Sequence, residues 1–123
     1  MKLKILAIAA LLFASTASQA AYLDVIAVKM KPACSVADFI KLGKAMNEWG
    51  KAYEYVGEVL TPVISDQPST YAWVGRSASV AAFGKAADAW QNGNATGDAT
   101  VTKLNARWIE CTEMVNRRGY STH

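Results

Sequence analysis

Residues 21–123 predict an α+β domain whose elements run β-α-β-β-α-β. Three observations carry that prediction. Residues 22–31 are rich in β-formers and end at Pro32. Two later segments place apolar side chains at three- and four-residue spacing, the helical period. Between those segments lie two short β-rich runs separated only by turn-forming residues.

The first strand, Tyr22 to Lys31, is apolar on both parities. Ile26, Val28 and Met30 point one way, and Leu23, Val25 and Ala27 the other. A strand of this kind is covered on both faces. Ser35 then reads as a helix N-cap, with Asp38 at the third helical position. Behind it Phe39, Leu42, Met46, Trp49 and Tyr53 form the apolar stripe of a helix over residues 36–54.

Gly57 to Ile64 is the second strand. Because Pro62 cannot donate to a ladder, this strand belongs at a sheet edge or carries a bulge there. Ser65 to Ser69 is turn chemistry, and Thr70 to Gly75 is a third strand, antiparallel to the second. Ser77 or Ser79 caps a second helix striped by Val80, Phe83, Ala87 and Trp90, with Asn92-Gly93-Asn94 as its stop. Residues 94–106 allow two readings, a short helix from Asp98 to Asn105 with Val101 and Leu104 inward, or a loop. Arg107 to Asn116 reads as the last strand, carrying Trp108, Ile109, Cys111, Met114 and Val115, with Arg117 to His123 as a polar tail.

This order is that of the ferredoxin-like unit. Right-handed crossovers put both helices on one face of a four-stranded antiparallel sheet, with the first and last strands as neighbours.

The first 20 residues belong to a different category. Lys2 and Lys4 precede an unbroken apolar run from Ile5 to Ala14, and Ser18 and Ala20 stand at the −3 and −1 positions of a cleavage after Ala20. That is the layout of a secretory signal peptide and implies a periplasmic or secreted protein. The apolar run is too short for a membrane span, which needs about 20 residues. Removing Lys2 and Lys4 lowers the net charge from +3 to +1, which excludes a strongly basic nucleic-acid binder.

Export also gives meaning to the two cysteines. In an oxidising space Cys34 and Cys111 are most simply one disulfide, closing a loop that chain entropy values at about 4–5 kcal/mol. Two buried free thiols are the alternative. There is no C-x-x-C redox motif, and two cysteines with the single terminal His123 do not make a zinc site.

In its pattern the chain resembles the dimeric α/β-barrel superfamily, which includes small cofactor-independent monooxygenases. The resemblance covers residues 22–116. It rests on a first strand ending Lys29-Met-Lys-Pro32, the helix that follows, the strand Leu60 to Ile64, and Tyr71-Ala-Trp-Val-Gly-Arg76 leading to Ser79-Val-Ala-Ala-Phe83. It implies a homodimer in which two sheets pack through their helix-free faces, and such packing would explain the doubly apolar first strand. A monomer with a polar outer face is the alternative. The haem-degrading branch of that superfamily uses an Asn, Trp and His constellation, but the domain has no internal histidine.

The candidate site is therefore aromatic. Trp73 and Tyr71 share one face of the third strand, while Trp49, Tyr53 and Trp90 close the two helix stripes. Together they would line an apolar pocket between sheet and helices, where the superfamily's ligands bind. Asp24, Asn47, Glu58, Arg76 or the tyrosine hydroxyls would supply the orienting polar groups. The same large residues could equally be core. No metal, cofactor or phosphate-binding motif is present. Three functions fit: binding of a small apolar or aromatic molecule, a cofactor-independent oxygenase or isomerase acting on a quinone-like substrate, or a protein-interaction module using the edge strand at Pro62.

Overall fold

The structure is a computed structural model and describes residues 21–123; residues 1–20, expected from the sequence to be a signal peptide, lie outside the described residues. The elements are β1 (Tyr22–Met30), α1 (Val36–Gly50) followed by a 3₁₀ turn (Lys51–Tyr53), β2 (Tyr55–Leu60), β3 (Thr70–Ser77), α2 (Val80–Thr96), α3 (Ala99–Cys111) and β4 (Thr112–Ser121). The four strands form one antiparallel sheet in the order β2-β3-β1-β4, an α+β architecture consistent with the ferredoxin-like unit. Ile26, Val28 and Trp73 from the sheet share one core with Phe39, Leu42 and Met46 of α1, Ala86 of α2 and Leu104 of α3. All three helices therefore pack on the same side of the sheet.

Helix α1 begins as its sequence requires. The Ser35 hydroxyl accepts from the Asp38 backbone N–H at 3.2 Å, and the Asp38 carboxylate accepts from the Ser35 N–H at 2.8 Å. The two groups satisfy each other's orphan donors in a capping box. Those bonds to Ser35 hold the Asp38 carboxyl below its ordinary value. The last turn gives way at Gly50 to the 3₁₀ turn, and Glu54 in a left-handed conformation (φ 54) releases the chain into β2.

Several element boundaries differ from the sequence reading. The second strand runs from Tyr55 to Leu60 at the sheet edge, and Pro62 lies beyond it in the connection to β3. Ser79, not Ser77, caps α2, its hydroxyl accepting from the Ala82 N–H. Helix α2 is not stopped at Asn92-Gly93-Asn94 but continues to Thr96, where Gly97 (φ 74) ends it. Gly93 has a packing role instead, since Val101 Cγ2 of α3 lies 2.7 Å from where a Cβ would stand.

The largest correction concerns the carboxy-terminal third. Arg107 to Cys111 is helical, and Trp108 and Ile109 lie on α3, not on a strand. Val101, Leu104, Trp108 and Cys111 follow the three-and-four spacing of a helix face, and Asp98 caps that helix by accepting from the Thr100 and Val101 N–H groups. Ile109, expected on a strand, points off that face and is exposed. The last strand is built instead from residues whose composition suggests a polar tail. As an edge strand it accommodates Arg117 and Arg118 without burying both.

Cys34 and Cys111 form a disulfide, with Cα atoms 5.1 Å apart and the two residues 77 positions apart in sequence. Cys111 ends α3 and does not sit within β4, but the pairing of Met30 with Thr112 still brings it beside the loop after β1. The Lys31 N–H donates to the Cys111 carbonyl at 2.8 Å. A disulfide indicates an oxidising, exported environment. Among the described residues, no helix is long and apolar enough to cross a membrane.

Candidate functional site

A cavity of about 440 Å³ lies between the sheet and helices α1, α2 and α3, within the size range of small-molecule sites. Trp73 forms its floor and is fully buried. Two strand glycines make room for the large rings there. A Cβ at Gly57 would overlap the Trp73 ring, and one at Gly75 would overlap the Tyr55 hydroxyl. Met46 and Trp49 of α1, Phe83 and Trp90 of α2, and Trp108 of α3 form the walls. Trp49 and Trp90 meet edge to face, with centroids 5.1 Å apart. All four tryptophans of the chain face this one space.

One wall is polar. Asp24 sits on the helix-facing parity of β1, with 1% of its surface exposed. A carboxylate there needs a cation, and Arg117 of β4 supplies it. Arg117 Nε donates to Asp24 Oδ1 and Nη2 donates to Oδ2, both at 2.8 Å, a two-pronged pair. The Tyr55 hydroxyl donates to Asp24 Oδ2 at 3.1 Å and accepts from Trp73 Nε1 at 2.7 Å. Burial, and after it the neighbouring Asp24 charge, pushes the Tyr55 phenol well above its ordinary value. The bonds from Asp24 raise Arg117 still further into its charged form. The guanidinium also lies over the Phe83 ring, 5.9 Å from its centroid.

A bulge in β4 aims Arg117 at this wall. Val28 pairs with Met114, but Ala27 pairs with Asn116, so Val115 is an extra residue. In a regular strand Met114 and Arg117, three apart, would face opposite sides. The bulge sets Met114 opposite Val28 and Arg117 opposite Ile26, so both face the helices and both line the cavity.

Of the aromatic residues singled out in the sequence, Trp73, Trp49 and Trp90 line the cavity. Tyr53 packs on Trp49 at 4.9 Å, behind the wall, and Tyr71 packs against the core; neither lines the cavity. Among the candidate polar groups, Asp24 is in place. Asn47 instead staples α1 to β2, its side chain donating to the Gly57 carbonyl and accepting from the Gly57 N–H. Glu58 and Arg76 are exposed, and neither lines the cavity. Sequence reasoning missed Arg117 and Trp108 because the residues around both suggest the wrong element. The signal for Arg117 was present in Asp24, an acid on the inward parity of an otherwise apolar strand, which demands a partner.

Among the described residues, no group of three or more His, Cys, Asp or Glu side chains could hold a metal ion. The Ser77 hydroxyl is the buried side-chain oxygen without a hydrogen-bond partner among the described residues. No protein-family model matches the chain, and no curated protein is significantly similar to it.

Proposed function

We propose that this is an exported protein that binds a small, mostly apolar aromatic molecule in the cavity between sheet and helices. The observation that carries the reading is the cavity itself, about 440 Å³ with four tryptophans around it and one ordered polar wall. Apolar walls supply affinity, and a few fixed polar groups supply orientation.

The resemblance to the dimeric α/β-barrel superfamily, and with it the homodimer, belongs to the same proposal. Leu23, Val25 and Ala27 of β1, together with Ala72 and Val74 of β3, face away from the helices and are only half-buried. Val56 and Leu60 of β2 extend this apolar surface and are exposed. A second copy packed on it would remove these apolar side chains from water, with Glu58, Arg76 and Arg118 on the same face beside them. Beyond the edge of β2, Val63 and Ile64 are 93% and 98% exposed, which favours contact with a partner chain as a second use of the same edge.

An oxygenase acting on a quinone-like substrate would use the same cavity and would need a base within it. Among the described residues Asp24 is the one carboxylate lining the cavity, and both of its oxygens are already engaged by Arg117 and Tyr55. Binding without transformation is therefore the better reading.

Titration with N-phenyl-1-naphthylamine, an uncharged aromatic dye that brightens in apolar sites, tests the proposal. Saturable binding of one dye per chain is expected, accompanied by a change in tryptophan emission. Ala87→Trp, which fills the cavity from α2, should abolish that binding. Absence of saturable binding to the unsubstituted protein would overturn the reading.

A further inference from the structure

We infer that the occupant of the cavity is a flat aromatic acid, with its rings against the tryptophans and its carboxylate on the outer edge of Arg117. The inference rests on the binding reading above and names the class of ligand.

Among the described residues lining the cavity, Asp24 and Arg117 alone carry a full charge. They sum to zero, but a ligand does not meet them equally. Asp24 is 1% exposed and has both oxygens occupied. The Arg117 side chain is 49% exposed. The ion pair therefore turns its positive end outward and seals its negative end behind it.

Arg117 also has unspent capacity. A guanidinium offers five N–H donors in a rigid plane, and two of them are used on Asp24. Among the described residues, no other side chain or carbonyl accepts from it. The remaining donors form a fork suited to the two oxygens of a carboxylate. Asp24 on one side and the Phe83 ring beneath already fix the guanidinium plane, so little rotamer entropy is lost when a ligand arrives.

The rest of the lining discriminates as well. The nearby polar side chains Gln91, Asn105 and Thr112 are uncharged, so the one acid of the lining is Asp24, whose oxygens are already taken by Arg117 and Tyr55 and are not free to attract an amine. An organic cation would meet only the exposed positive end of the pair. The surrounding tryptophan and phenylalanine rings are matched by a planar aromatic body.

Calorimetric titration of the disulfide-bonded protein with 2-naphthoate and its uncharged isostere 2-naphthamide tests this, with benzoate and benzamide as a smaller pair. The unsubstituted protein should prefer the acid over the amide by about tenfold or more, the scale of one charge-assisted interaction. That preference should weaken as salt is added. Arg117→Lys keeps a cation against Asp24 but removes the fork, and should cut the preference to about threefold or less. If that variant does not fold, the preference of the unsubstituted protein still decides. Equal binding of acid and amide, or a preference for the amide, would overturn the inference and leave the binding function standing. Binding of none of the four probes would overturn the inference, and the binding function falls with it only if the dye also fails to bind.

Discussion

Arg117 and Asp24 stand 93 positions apart and meet through two parallel hydrogen bonds of 2.8 Å between neighbouring strands. The pair clamps the edge strand β4 to the centre of the sheet and at the same time forms the polar wall of the cavity. Arg117→Ala leaves Asp24 buried without its cation. Removing one partner of a fully buried pair costs about 3–5 kcal/mol; because Arg117 is half-exposed, a loss of about 2–3 kcal/mol is expected here, read from urea unfolding. The double variant Asp24→Asn/Arg117→Ala should recover part of that loss. Costs that simply add would show that the pair is not coupled.

The glycines divide into those under a ring and those in open space. Gly75→Ala places a Cβ into the Tyr55 hydroxyl and should cost about 1–3 kcal/mol through overpacking. Gly84, inside α2, has nothing beyond its chain neighbours and its own helix backbone within 4 Å of where a Cβ would stand, so Gly84→Ala should stabilise by about 0.5–1 kcal/mol. Thermal unfolding of the two variants side by side checks the opposite signs.

Tyr55 couples the site to alkaline pH. Its folded value is raised above the unfolded value of 10.0, chiefly by burial and then by the Asp24 charge. The stability linked to this group is fully present below about pH 10 and is lost as the pH rises towards the folded value. Unfolding free energy should therefore fall above pH 10, and fall less steeply in Tyr55→Phe. Absorbance at 295 nm, compared between the protein and that variant, should show Tyr55 ionising only above the ordinary phenol range.

The Cys34–Cys111 disulfide joins the loop after β1 to the end of α3. Replacing both residues with serine should cost about 2–5 kcal/mol. Thiol titration of the unreduced, denatured protein should find no free thiol, and reduction should release two.

The apolar helix-free face leads to a prediction about assembly. Val25 and Val74 pair across β1 and β3 near its centre. Val74→Lys should convert a dimer to a monomer in sedimentation equilibrium while leaving the far-ultraviolet circular dichroism unchanged. A monomeric unsubstituted protein would remove the dimer from the proposed function and leave the cavity intact.

Much of the fold could be read locally. The α1 stripe, the Ser35–Asp38 box, the three strands up to Ser77 and the cysteine pair follow from spacing and residue chemistry that act within a few positions. Trp73, Trp49, Trp90 and Asp24 were visible as candidates on the same grounds. Local signals misled over the last third of the chain. Trp108 and Ile109 are good strand formers by propensity, yet the spacing from Val101 to Cys111 and the Asp98 cap make them helical. Propensity is a weak prior, which packing against Gly93 and Phe39 overrides here.

The sequence by itself determined the element types up to the second helix, the apolar stripes of the first two helices, and Asp24 as a charged residue within a largely apolar strand. The tertiary structure alone decided which cation answers it. Arg117 reaches Asp24 because β4 pairs with β1 across 93 positions and an extra residue at Val115 shifts the alternation of side chains. No local periodicity encodes that register; it emerges when the strands pair and the inward charge must be satisfied.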